Sequence, residues 1–87
     1  MLVCEDSDLH RAVSGAVWCG LTNCGQSCGG VERIYVHEKV YAPFLSALKA
    51  KVESLRMGLD DHFNVDLGVM TTKKQVLTVQ NLSLIHI

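Results

Sequence analysis

No run in this sequence approaches the roughly 18 apolar residues that a membrane-spanning helix needs. Excess charge of one sign is missing as well. Eight Lys and Arg against nine Asp and Glu leave a net charge of −1, with no basic stripe to neutralise phosphates, which argues against nucleic acid as a partner. The N-terminus has no basic region ahead of an apolar one, so no secretory signal is expected. Proline occurs once, and there is no Pro-rich linker, internal repeat or long charge run. The cysteines include no tight Cys-x2-Cys pair, the spacing typical of structural zinc and iron–sulfur sites. No glycine-rich turn between a predicted strand and helix is present to hold a pyrophosphate, so no cofactor-binding residue is expected in this chain.

What the chain does have is apolar bulk. Of its 87 residues, 48% are hydrophobic and only 20% are charged. A domain of this length buries only about 60% of its unfolded surface. A core-like composition on so short a chain reads as a piece cut from a larger globular protein, truncated at both ends. Four cysteines without a secretory signal read as reduced thiols, hence a cytoplasmic setting.

The pattern predicts an α/β fragment in the order strand, helix, loop, strand, helix and a third helix. Met1-Leu2-Val3-Cys4 reads as the end of a buried strand. Asp6 or Ser7 is expected to cap the first helix, with Asp8 in its first turn. Leu9, Ala12, Val13, Ala16, Val17 and Leu21 follow helical spacing, and Trp18 falls off that stripe. Arg33 to Val36 is β-branched and aromatic, a strand candidate. A second helix is predicted from about Lys39 to Arg56 on Val40, Phe44, Leu48, Val52 and Leu55, with Lys49, Glu53 and Arg56 on its wet face. Pro43 is expected near its first turn, and Gly58 is expected to end it. Leu59 to Gly68 is a polar loop, and Thr71 or Thr72 is placed to cap a third helix through Val76 and Val79. The helical pattern breaks at Asn81, so residues 81–87 are expected to be a non-native tail, leaving 1–80 as the domain fragment.

Between the first helix and the second strand lies Leu21-Thr22-Asn23-Cys24-Gly25-Gln26-Ser27-Cys28-Gly29-Gly30-Val31-Glu32-Arg33. Gly25 lets the chain turn sharply, and Gly29 and Gly30 are expected to leave space around Cys28. A thiol flanked by residues without bulk can be approached by a small electrophile, whose carbon must come within about 3–3.5 Å of the sulfur. Spacing alone leaves a second reading open, a buried free cysteine that packs as a small hydrophobe.

The letters Asn23-x-Gly25-Gln26-x-Cys28, with Arg33 five residues on, resemble the nucleophile segment of the aldehyde dehydrogenase superfamily. Leu2-Val3, Asp6-Ser7-Asp8-Leu9 and Ala12-Val13 resemble the approach to that cysteine. Val31 to Glu38, with Tyr41 and Phe44, resembles the stretch on its C-terminal side, and Asp66-x-Gly68 a later loop of the family. Leu21 stands where an aromatic is common, and Gly30 where alanine is common. The resemblance implies NAD(P)-dependent oxidation of a small-molecule aldehyde to an acid. Cys28 would be the nucleophile, forming a thiohemiacetal and then a thioester, and its backbone N–H would be one oxyanion donor. It implies support from Asn23, Gly25, Gln26 and Arg33, with Asn23 ordering the turn and Arg33 pointing into the structure. It also implies NAD or NADP bound by regions outside this chain, a general-base glutamate upstream, and a homo-oligomer in the full-length enzyme. The fragment alone is expected to be inactive.

Two other readings of the thiols stand beside this one. A small thiol-rich metal-binding module would use Cys19, Cys24 and Cys28, spaced C-x4-C-x3-C; a non-catalytic interaction module would use the exposed apolar faces. Cys24 is also a candidate resolving thiol for Cys28.

Overall fold

In a computed structural model of the chain, residues 1–86 are described. β1 is Leu2–Val3, α1 Leu9–Leu21, β2 Tyr35–Val36, α2 Glu38–Glu53 and α3 Lys73–His86. β1 and β2 pair in parallel with Leu2 opposite Tyr35 and Val3 opposite Val36, so β1–α1–β2 forms one βαβ unit of an α/β fold. The ladder runs past the strand ends: the N–H of Tyr35 donates to the carbonyl of Met1 and that of His37 to Val3, both at 2.9 Å.

The core sits where the two helices cover this ribbon. Val3, Val13, Ala16 and Phe44 are buried, and Leu9, Ala12, Ile34, Val36, Val40 and Leu48 pack around them. This is the apolar stripe predicted for α1 and α2, closed by the inward-facing residue of β1. Trp18, off that stripe, is 70% exposed.

Several boundaries differ from expectation, each for a local reason. Asp8, not Asp6 or Ser7, caps α1: its Oδ1 accepts from the N–H of Arg11 at 3.1 Å, because a turn from Cys4 to Ser7 uses the earlier residues. α2 starts one residue early, where His37 Nδ1 accepts from the N–H of Lys39. It stops at Glu53 rather than running to Arg56. The hydroxyl of Ser54 donates to the carbonyl of Lys51 at 2.7 Å, and the N–H of Arg56 turns away to Asp66. Gly58 therefore does not end this helix.

Pro43 lies deeper in α2 than expected, beyond the four N–H groups that have no helical partner. It removes the bond to the carbonyl of Lys39, an exposed residue, so water can solvate that group and the helix continues. Thr72 caps α3, its Oγ1 accepting from the N–H of Gln75. The expected break at Asn81 does not occur: α3 continues through His86, since no glycine or proline interrupts Leu82-Ser83-Leu84. Ile87 lies outside the described residues.

Candidate active site

α1 ends in a strained left-handed turn. Asn23 (φ 55°, ψ 36°), Cys24 (φ 58°, ψ 30°) and Gly25 (φ 74°) all have positive φ. Glycine occupies that region freely and asparagine tolerates it, but cysteine does not; such a residue costs roughly 1–3 kcal/mol and persists only when its surroundings hold it. The surroundings here are specific. Asn23 Nδ2 donates to the carbonyl of Gln26 at 3.2 Å, and Gln26 Nε2 donates back to the carbonyl of Asn23 at 3.0 Å. Gln26 Oε1 accepts from both the N–H and the hydroxyl of Thr71, at 3.0 and 2.9 Å. The Cys24 thiol donates to the carbonyl of Gly68 at 3.2 Å. Asn23 and Gln26 thus knit the turn, and Cys24 and Gln26 tie it to the segment leading into α3.

Cys28 comes next, exposed, with its N–H donating to no partner among the described residues. A Cβ added at Gly29 would meet nothing within 4 Å, so one side of the thiol segment is open. Gly30 does a different job from the one expected. A Cβ there would stand 3.3 Å from the carbonyl oxygen of Ser27 and 3.7 Å from that of Cys19. Its small size permits close backbone approach, and the next N–H, of Val31, donates to Cys19 at 3.0 Å to bind the loop back onto α1.

Arg33 corrects another expectation. Its side chain is exposed rather than inward, and its visible contribution is a carbonyl that accepts from the backbone nitrogen of Met1 at 2.8 Å. Neither it nor Glu32 is in a salt bridge among the described residues; Glu5 is paired with Lys39. Sequence reasoning missed Thr71 and the Arg56–Asp66 pair. Asp66 accepts from the Arg56 N–H at 2.9 Å, from Nε at 3.1 Å and from Nη2 at 3.2 Å. These bonds, side-chain first, hold the Asp66 carboxyl down to about 2. The pair clamps the 66–72 segment to the end of α2, and its only sequence signal was Asp66 in the family-like Asp-x-Gly.

The profile of the aldehyde dehydrogenase family matches residues 1–85. The chain belongs to the aldehyde dehydrogenase family. It is 42% identical over 80 residues to 4,4'-diapolycopene aldehyde oxidase of a Methylomonas species, covering 92% of this chain and 15% of that protein. It is 39% identical over 75 residues to a mitochondrial aldehyde dehydrogenase of Leishmania tarentolae, covering 86% and 15%. Among solved structures, 3,6-anhydro-L-galactose dehydrogenase in complex with NADP superposes with a TM-score of 0.84 at 33% identity, covering 94% of this chain and 17% of that one. The chain therefore spans about a sixth of the length of these relatives.

The first strand-to-helix turn of this chain does not fit the pyrophosphate of a dinucleotide. The sole strand-to-helix turn of the βαβ unit is Cys4-Glu5-Asp6-Ser7-Asp8, which has no glycine and three acids, and Asp8 already caps the helix where a pyrophosphate would sit. Among the described residues, no three His, Cys, Asp or Glu side chains converge as a metal site. The four cysteines are free thiols. No helix among the described residues is long and apolar enough to cross a membrane. An open apolar hollow of about 590 Å³ lies between the C-terminal ends of α1 and α2 and the face of α3; Cys24, not Cys28, lines it.

Proposed function

We propose that this chain is the nucleophile segment of an enzyme that oxidises a small aldehyde to a carboxylic acid, with Cys28 as the attacking thiol. The observation that carries the reading is local: Cys28 is exposed, with open space at Gly29 and a backbone N–H of its own that is unpartnered among the described residues. The Cys28 thiolate adds to the aldehyde carbon, forming a C–S bond and placing negative charge on the former carbonyl oxygen. The Cys28 N–H donates to that oxygen, as one half of an oxyanion hole. Loss of hydride from the thiohemiacetal to an acceptor bound outside this chain would leave a thioester on Cys28. Water then cleaves the C–S bond, releasing the acid and returning the thiol. NAD or NADP, held by parts of the enzyme outside this chain, would supply that acceptor.

Within this chain, Asn23, Gly25 and Gln26 shape the turn, and Arg33 supports the exit from the loop through its backbone. The resemblance implies that the base that activates water is a glutamate in the same outside regions; within this chain Glu5 is paired with Lys39 and Glu32 is exposed past the loop. We assign the working enzyme as a cytoplasmic homo-oligomer. The test is Cys28→Ala in the full-length enzyme, with NADH or NADPH formation measured on aldehyde, alongside the 87-residue chain alone. Loss of turnover by at least about a thousandfold, and no steady turnover from the short chain, are expected. Undiminished acid formation by the variant overturns the reading.

A further inference from the structure

We propose that Thr71 is a positioning residue for the reaction: its hydroxyl, acting through Gln26, holds the nucleophile loop in the geometry that presents Cys28. The proposal rests on Cys28 being the nucleophile.

Gln26 stands two residues before Cys28, and its side chain bonds both within the turn and across to the segment before α3. Its amide orientation is dictated by its partners. The N–H of Thr71 can only donate and the carbonyl of Asn23 can only accept, so Oε1 must face Thr71 and Nε2 must face Asn23. The Thr71 hydroxyl adds a second donor, at 2.9 Å, to the same Oε1. With both donors in place, rotation of the amide breaks all of these bonds at once. The Thr71 end is itself anchored, because Asp66 is clamped by Arg56 and Gly68 receives the Cys24 thiol. A route of fixed groups therefore runs from the end of α2 through 66–71 into the turn whose left-handed residues precede Cys28.

Thr71 is exposed and lies outside the core, and its hydroxyl donates to Gln26. Removing it leaves the backbone N–H bond intact and loosens only the angular restraint on Gln26. Attack on a carbonyl depends steeply on how the nucleophile is aimed, so loosening affects the chemical step more than binding. Thr71→Val deletes the hydroxyl at nearly constant shape, and Thr71→Ser restores it without the methyl.

The experiment uses the full-length enzyme with Thr71→Val, Thr71→Ser and Cys28→Ala, measuring kcat and KM for aldehyde and the rate of Cys28 alkylation by iodoacetamide. For Thr71→Val we expect kcat and the alkylation rate to fall about five- to tenfold, with KM within about twofold. Thr71→Ser is expected to recover both rates. Normal rates in Thr71→Val overturn the proposal, as does a Thr71→Ser enzyme as slow as the valine form, because the loss would then come from packing. Cys28→Ala separates the two levels of inference. If it is inactive while Thr71→Val is normal, only the role of Thr71 falls; if it still makes acid, the nucleophile assignment falls and the positioning role with it.

Discussion

The two halves of this chain are held together by different forces. From Met1 to Glu53, apolar side chains interlock between the parallel ribbon and two helices, and every buried residue among those described is found there. From Ser54 onward there is no buried residue among those described, and Met57, Leu59 and Phe63 are 70%, 85% and 93% exposed. What fixes the second half is a set of polar struts: Arg56 to Asp66, Cys24 to Gly68, and Gln26 to Thr71. The nucleophile loop lies on the seam between the two regimes. Its left-handed turn grows out of the packed half and is restrained by the strutted one. The seam should respond to the loss of single hydrogen bonds, and the packed half to the loss of volume.

The largest effect should come from emptying the core. Phe44→Ala removes a ring that is 2% exposed, and such truncations cost about 3–5 kcal/mol. Leu77→Ala on α3, where the side chain is 54% exposed, should cost no more than about 0.5 kcal/mol. Hydrogen exchange in the 87-residue chain reads both. Amides of α1 and α2 should lose protection in the first variant, and those of α3 should barely change in the second. Equal effects would erase the distinction between the halves.

Next is the seam. Gly25→Ala adds a Cβ at φ 74°, a conformation that costs an L-residue about 1–2 kcal/mol. The nearest atom to that Cβ would be the carbonyl oxygen of Gly20 at 3.5 Å, an ordinary contact, so the penalty is conformational rather than steric. Faster exchange confined to the turn and to 68–72, with the core unchanged, is the expected result. An unchanged turn would mean that the struts do not depend on its left-handed form.

The packed half was legible in the sequence because its signal is periodic. Leu9, Ala12, Val13 and Ala16 announce a helix face whatever lies around them, and Phe44 and Leu48 do the same for α2. The turn was half legible. Gly25 is a sign of positive φ and Asn23 tolerates it, but nothing in the letter at Cys24 says that it joins them; only its thiol's bond to Gly68, 44 residues away, makes sense of that. Gly30 misled because a glycine that opens space and one that lets two backbones approach look identical in a sequence. Thr71 was read as a candidate helix cap, a local role, and its bond to Gln26 depends on a fold that local pattern does not encode. Arg33, expected to point inward, sits at the edge of a two-stranded ribbon where no neighbouring element among the described residues covers it.

The smallest effect concerns the strut farthest from Cys28, and it separates charge from packing. Three donors on Arg56 hold Asp66 at about 2, below the ordinary 3.8. A folded-state value below the unfolded one means that ionised Asp66 favours the folded segment. Its contribution is complete above 3.8 and is lost as the pH falls through about 2. Carbon-detected NMR of the Asp66 carboxyl should show titration near that lower value, with amides of 66–72 losing protection in the same window while Val13 and Phe44 remain protected. Because the pair is exposed, added salt should weaken its coulombic part while the bidentate hydrogen bonds persist. Asp66→Asn should remove the acid transition from the segment. An Asp66 carboxyl that titrates near 3.8 would show that Arg56 does not grip it in solution, and the polar half of the comparison would lose its outermost anchor.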